Sequence, residues 1–486
     1  MKVDFNKLTR AFNPDCLVII GDKAETNYMW LRAQSAFKGK LYSVQIDPKE
    51  IEGIEALGVT NFTSLADVPE PIDLAIVAVP RNIAVRVIDD LIKLDVAAAH
   101  FFTAGFSETD TDEGRELERI LTEKAEAANF HIIGPNCMGI FSPVSGIGLE
   151  GAPYPGAPGQ VGFISQSGTH AVGFARQGYR EGVNINKSVS FGNGIVLDSA
   201  DYLDYYGSDP EVKVIGMYLE GVRDGNRFLT VLKKVAASKP VVIWKGGRTE
   251  EGERAIASHT GSLAVPQAIW DAAVRQCGAI KVNRMEEMID TIKALLFLPP
   301  VTGDRVAVTG GSGGQSVAIS DVLGEAGLKL PRLSSESHNE LASFFTIIGG
   351  SYLNPIDTGN PNSRQMKRIL EILERDTNTD SLVQLLNVRV GGPTGRLESH
   401  IEAVLDIKKK TKKPIMAILS WAFVSAEVEK AGEVINSLQA GNVPVFISLE
   451  RGAFALKQAA DYYEMKNVSG QVTKSPTGAG KTGAGQ

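Results

Sequence analysis

The sequence predicts an α/β protein built on parallel sheets and divided into about three units. Three observations carry that prediction. The 486 residues exceed what one hydrophobic core supports, so several packed units are expected. Short apolar runs recur along the chain and are continuous rather than alternating, as in strands buried on both faces. Gly-rich turns and helical patterns follow them, and strands that alternate with helices pair in parallel.

In chain order the runs are CLVIIGDKAE at 16–25, DLAIVAVP at 73–80, VGFISQSG at 161–168, RVAVTGGSGG at 305–314 and VPVFISLERG at 443–452. Two breaks divide them. SPVSGIGLEGAPYPGAPGQ at 142–160 is dense in Gly and Pro without a helical or strand period, so it reads as a linker. LPPVTGDR at 298–305 closes a helix ahead of a new strand. The expected units are therefore 1–141, 161–300 and 304–466, with 142–160 joining the first two. Residues 467–486 hold few core-forming groups and are expected to be a disordered tail. GAGKT within that tail lacks the preceding strand and following helix of a phosphate loop.

With 43% apolar and 22% charged residues, the composition is that of a globular protein. The net charge of −7 argues against nucleic acid as a partner, because phosphate-backbone binding relies on clustered Lys and Arg. Cys16, Cys137 and Cys277 show no CxxC spacing and no neighbouring His, so neither a disulfide framework nor a metal site is expected. The opening MKVDFNKLTRAFNP has no apolar signal core, and no run approaches the ~18 apolar residues that span a bilayer. A soluble, cytoplasmic protein without membrane association is expected.

Ligands of parallel α/β sheets bind at the carboxyl ends of the strands, which makes the Gly-rich turns the candidate sites. In VGFISQSGTHAVGFARQ a strand runs into Ser167, Gly168 and Thr169 and then into a helix, so backbone N–H groups and a hydroxyl converge on an anion-binding position. An ordinary Ser-capped strand–helix turn has the same appearance. TGGSGGQSVAIS at 309–320, with Gly313 and Gly314, repeats the pattern. His259 lies in GERAIASHTGSLAVPQAIW, after the strand PVVIWKGGR, and its neighbours Ser258, Thr260 and Gly261 suggest a small-residue loop. An imidazole with a pKa of ~6.5 is largely neutral at physiological pH, so a ring nitrogen can attack a phosphoryl group without a separate base. The string is equally that of a loop histidine bonded to backbone. Glu220 ends the strand VIGMYLEG, where a carboxylate either faces the crevice and holds an imidazole or caps the next helix.

Taken together, GPNCMGI at 134–140, GFISQSGTHA at 162–171, YLEGVRDG at 218–225, ASHTGSLA at 257–264 and NPIDTG at 354–359 resemble the ADP-forming acyl-CoA synthetases, relatives of succinyl-CoA synthetase. The resemblance runs from about residue 12 to 465 and keeps the family's order. It implies a Rossmann-like CoA-binding domain followed by two flavodoxin-like parallel-sheet domains. It implies that a carboxylic acid, CoA and ATP are interconverted with acyl-CoA, ADP and phosphate through an acyl phosphate and a phosphohistidine. His259 matches that histidine and Glu220 the acid beside it, while Ser167, Gly168 and Thr169 match the phosphate-holding helix start. Gly313 and Gly314, with Asn354, Pro355 and Asp357, are expected at the phosphate or acyl pocket.

For CoA, the matching positions are Gly21, Lys23, Pro48, Lys49, Val79, Pro80, Glu108, Asn136 and Cys137, with Gly105 and Phe106 beside Glu108. Cys137 has no visible base and is read as a packing residue. One departure stands out: a Gly-Ala-Ser turn is typical where this chain has Gly21, Asp22 and Lys23, which puts a carboxylate near the expected phosphates. His100, His131, His170, His338 and His400 match no catalytic position and are read as structural or solvent-facing.

No counterpart of the family's ATP-grasp portion precedes the tail, so a β subunit carrying ATP or ADP and Mg²⁺ is expected, in a hetero-oligomer with two copies of each chain. The acid substrate, and ATP against GTP, stay open. Two other readings compete. A non-catalytic CoA- or acyl-CoA-binding regulator on the same scaffold draws on the Gly21-Asp22-Lys23 departure, and a nicotinamide-dependent dehydrogenase fails for want of GxGxxG after the first strand.

Overall fold

The computed structural model describes residues 2–149, 154–260, 267–311, 313–344, 352–357, 363–388, 396–420 and 424–468, with the backbone alone at 257–260, 313, 363–364, 396 and 420. Three sheets organise these residues.

The first sheet contains β1 (Cys16–Ile20), β2 (Lys40–Val44), β3 (Thr60–Phe62), β4 (Leu74–Val77), β5 (Ala98–Phe101) and β6 (Ile132–Ile133), all parallel, in the order β3-β2-β1-β4-β5-β6. That is the Rossmann order, which reverses direction between β1 and β4 and so opens a crevice at their carboxyl ends. Its centre is as apolar as the continuous runs required: every residue of β1 and β4 is buried.

The second sheet begins with β7 (Gly139–Phe141), followed by β8 (Val161–Ser165), β9 (Ile185–Ser190), β10 (Val214–Leu219), β11 (Val241–Lys245) and β12 (Ile280–Val282), in the order β12-β11-β10-β8-β9-β7. Five strands are parallel in a flavodoxin-like order, and β7 pairs antiparallel with β9 at the edge. The chain therefore enters the second sheet at Gly139, ahead of the connection expected at 142–160. This binds the GPNCMG segment to both units: Met138 donates its N–H to the Ser190 hydroxyl at 3.2 Å.

The third sheet holds β13 (Val306–Gly311), β14 (Ile356–Asp357), β15 (Ser381–Asn387), β16 (Ile415–Ser420) and β17 (Val445–Phe446), again parallel, in the order β14-β13-β15-β16-β17. The helix Met285–Phe297 packs along the long helix Leu449–Val468, joining the second and third units. A buried ionic cluster pins that junction. Arg451 reaches both oxygens of Asp290, at 2.6 and 2.7 Å, and also pairs with Glu181, while Lys293 bonds the Val445 carbonyl at 3.0 Å.

Candidate active site

The carboxyl ends of β1, β4 and β5 from the first unit and of β8 and β9 from the second meet across one cleft of about 550 Å³. Lys23, Val79, Pro80, Asn136 and Cys137 form its first wall, and Gln166, Ser167, Gly168, Thr169 and Asn193 the opposite one. Eight of the positions singled out in the sequence, from two separate units, are thus brought together.

The second wall is a helix start. Ser167 caps the helix Gly168–Arg180, its hydroxyl accepting the His170 N–H at 3.4 Å, and the hydroxyl of Ser165 fixes the turn by accepting the Ser167 N–H at 3.2 Å. The first N–H groups of a helix lack intrahelical partners and carry the positive end of its dipole, so an anion is favoured here. Gly168 permits a close approach: a Cβ there would lie 2.6 Å from Met138 Cγ.

The first wall departs from the expected phosphate turn in an instructive way. β1 is followed by a single short turn, Ala24–Thr26, and the brief helix Met29–Ala33. The Asp22 carboxylate, 2% exposed, turns inward and accepts the N–H groups of Leu31 at 2.9 Å and Lys23 at 3.1 Å and the Thr26 hydroxyl at 3.3 Å. Burial raises its pKa against these stabilising donors. Asp22 therefore occupies the N–H groups that a Rossmann turn ordinarily offers to a phosphate, and the expected repulsion at the cleft does not arise, because the charge faces the protein. Lys23 is left on the cleft side. Gly21 has φ +84°, and a Cβ there would stand 2.3 Å from Val79 Cγ1, which explains why glycine is needed.

Three CoA-linked expectations find other roles or places. Glu108 turns its carboxylate into its own loop, accepting the Gly105 N–H at 2.6 Å and the Phe106 N–H at 3.2 Å, and it binds the Asn193 amide at 2.7 Å. It shapes the loop and ties it to the second unit. Asn193 also donates to Glu118 at 2.9 Å, so one amide bridges two carboxylates. Pro48 and Lys49 are exposed at the start of the helix Pro48–Ala56, beyond β2 and outside the cleft lining. Cys137 is buried, and burial pushes its thiol up to about 12, which favours the neutral thiol and suits packing.

Glu220, 8% exposed, follows β10 immediately. Its backbone is fixed on both sides: its N–H bonds Gln166 Oε1 at 2.8 Å, and its carbonyl accepts the buried Lys245 ammonium at 2.7 Å. Burial lowers the Lys245 pKa while the Glu220 charge opposes the shift. Position 259 was expected in a loop, but its backbone belongs to the helix Glu250–Thr260, whose acidic first turn of Glu250, Glu251 and Glu253 suits the helix dipole. That helix packs on the Ser107–Thr109 turn beside the cleft. The His259 side chain lies outside the described residues, as do residues 261–266 and the GAGKT segment.

The third unit contributes less. Gly313 and Gly314 begin the turn Gly313–Gln315 after β13 and are not among the cleft-lining residues. Asn354 spends its amide on the carbonyls of Val306 at 2.6 Å and Pro331 at 3.2 Å, and its oxygen on the Val308 N–H, so it stitches the sheet. Asp357 is buried within β14.

Sequence reasoning also passed over three groups. Asn193, in FGNG, and Gln166, in ISQSG, were legible only as turn residues. His170, taken as structural or solvent-facing, stands half-buried over Tyr218 and Trp244, with ring centroids 4.1 and 4.7 Å away, near Glu220.

Comparison with known proteins agrees with this arrangement. Residues 18–143 match a CoA binding domain, and residues 158–295 match the succinyl-CoA ligase like flavodoxin domain. The alpha subunit of the ADP-forming acetate–CoA ligase II of Pyrococcus furiosus is 34% identical over 95% of this chain and 98% of its own length. The ADP-forming acetate–CoA ligase I of Archaeoglobus fulgidus is 31% identical over 94% of this chain, which spans 64% of that longer protein. The structure of the dinucleotide forming acetyl-coenzyme A synthetase 1 of Ca. Korarchaeum cryptofilum, in complex with phosphate and ADP, superposes with a TM-score of 0.82 at 29% identity, covering 96% of this chain and 99% of that one. These relatives are synthetases and ligases, and they lend no support to a non-catalytic regulator. The chain belongs to the ADP-forming acyl-CoA ligases and corresponds to their alpha subunit, a CoA-binding enzyme component that works with a partner subunit.

Proposed function

We propose that this chain carries the phosphoryl group on His259 between a nucleotide held by an ATP-grasp β subunit and the cleft between its own first two units. The single observation that carries the reading is the shape of that cleft. One wall comes from the CoA-binding domain, and the other is a capped helix start suited to phosphate. Acyl transfer between a phosphate and a thiol needs those two sites side by side.

In this reading the His259 imidazole takes the γ-phosphoryl group of ATP, releasing ADP. The phosphoryl group then passes to the carboxylate of the acid, giving an acyl phosphate and restoring the neutral ring. Transfer of the acyl group to the CoA sulfur releases phosphate, which the Ser167–Thr169 helix start stabilises as its charge develops. Glu220 accepts the N–H of the second ring nitrogen, fixing the tautomer and offsetting charge on phosphorylation. Lys23 offers a cation at the CoA side of the cleft. Nucleotide and Mg²⁺ belong mainly to the partner, and the assembly holds two copies of each chain. The acid is a small carboxylate whose identity is set by pocket shape.

The test is reconstitution. The purified chain with ATP, Mg²⁺, acetate as first acid and CoA is expected to form no acyl-CoA, and adding the β subunit is expected to start turnover that His259→Ala abolishes. Acyl-CoA formation by the chain alone would overturn the division of labour.

A further inference from the structure

The strand pairing sets Tyr218 of β10 beside Trp244 of β11, so both rings stand on the same face of the second sheet. The helix Gly168–Arg180 crosses that face and lays His170, from its first turn, over both. The three rings are in mutual contact, with Tyr218 and Trp244 centroids 4.7 Å apart. Two residues along the chain from Tyr218 is Glu220, and the Tyr218 hydroxyl donates to Glu220 Oε1 at 3.2 Å. Both side chains are buried, at 7% and 8% exposure, and the backbone of Glu220 is already held by Gln166 and Lys245.

We infer that Tyr218 is a positioning residue for Glu220: its phenol, locked by the His170 and Trp244 rings, aims the carboxylate at the phosphorylated imidazole. The inference rests on the role of Glu220 proposed above. The physical argument is one of degrees of freedom. With its main chain fixed, a glutamate keeps only its side-chain rotations, and a hydrogen bond to one carboxylate oxygen from a phenol that cannot itself rotate away removes them. The phenol suits the task because burial and the neighbouring carboxylate raise its pKa, keeping it a donor throughout the working range. Burial lowers the His170 pKa, so its ring supports the stack as a neutral group.

The experiment uses the complete two-subunit enzyme and Tyr218→Phe, which deletes the hydroxyl and keeps the ring. Loss of a hydrogen bond to a buried carboxylate is expected to lower kcat about tenfold, with the KM for CoA changed less than about twofold. That split between kcat and KM is the readout that separates positioning of the carboxylate from CoA binding. A merely structural tyrosine would lower stability without splitting kcat from KM. In the double variant Tyr218→Phe/Glu220→Gln the two losses are expected not to add, because Tyr218 acts through Glu220. His170→Leu and Trp244→Leu keep the hydroxyl but loosen its support, and each is expected to lower kcat about two- to fivefold in the same direction. If Glu220→Gln abolishes turnover while Tyr218→Phe and both leucine variants keep wild-type kcat, the positioning role fails and the reading of Glu220 stands. If Glu220→Gln is itself fully active, the reading of Glu220 fails first.

Discussion

Replacing Asn193 with aspartate is expected to uncouple the CoA-binding unit from the acyl-transfer cleft. The Asn193 amide donates both its hydrogens to carboxylates, to Glu108 at 2.7 Å and Glu118 at 2.9 Å, and Asn193 itself lines the cleft. Glu108 in turn organises the Gly105–Phe106 loop, and the Glu118 carboxylate accepts the Ser107 hydroxyl at 2.6 Å. A hydrogen bond to a charged group contributes roughly 1.5–3 kcal/mol, so losing both costs about 3 kcal/mol at the low end, before the repulsion of a third carboxylate is added. If about half of that loss falls on the arrangement of the cleft, CoA binding weakens by about 1.5 kcal/mol, or about tenfold in KM. The assay is steady-state kinetics on the reconstituted enzyme, varying CoA and acid separately. Asn193→Asp is expected to raise the KM for CoA about tenfold and that for the acid less than about twofold, with Asn193→Ala between it and wild type. A folded Asn193→Asp enzyme with the wild-type KM for CoA would refute the coupling.

Other expectations follow from the same geometry. Gly21→Ala should raise the KM for CoA and lower stability by about 1–2 kcal/mol, since φ is +84° and the new Cβ would meet Val79 at 2.3 Å; calorimetry and CoA titration measure both. His100 and His131 are held at about 4 by burial, against ~6.5 in the unfolded chain, so each favours the fold fully above pH ~6.5. That stabilisation is lost as pH falls from ~6.5 toward 4, on the order of 3 kcal/mol for each ring, and urea unfolding across that window should show it. Arg451→Met removes the guanidinium from Asp290 and Glu181 at the junction of the second and third units, leaving Glu181 with Lys293 at 3.4 Å and the Gln177 amide at 3.2 Å. A cost of about 3–5 kcal/mol is expected there, read as faster proteolysis between those units.

Much of this arrangement was legible in the sequence because its signals are local. Continuous apolar runs such as CLVII and VGFIS became central strands because they can be buried on both faces of a sheet. The SQSG turn announced its helix start for the same reason. What escaped was set by pairing between distant segments. GIF at 139–141 reads as the end of the first unit, and only its antiparallel partner in β9 shows that it serves the second. Asp22 looked like a charge placed against phosphate until the fold turned it onto the N–H of Leu31. Glu108 looked like a ligand until Asn193, 85 positions away, was found bonded to it. His170 lies in the GFISQSGTHA string, yet its place over Tyr218 and Trp244 depends on how a helix crosses a sheet.

The central claim is that His259 carries the phosphoryl group. It is tested most directly by incubating the chain and its β subunit with γ-labelled ATP and Mg²⁺, then following the label on this chain through acid and alkali. The account predicts label that acid removes and base leaves intact, discharged by acid substrate with CoA and absent from His259→Ala. Absence of label from the wild-type chain, or label that persists in His259→Ala, would contradict it.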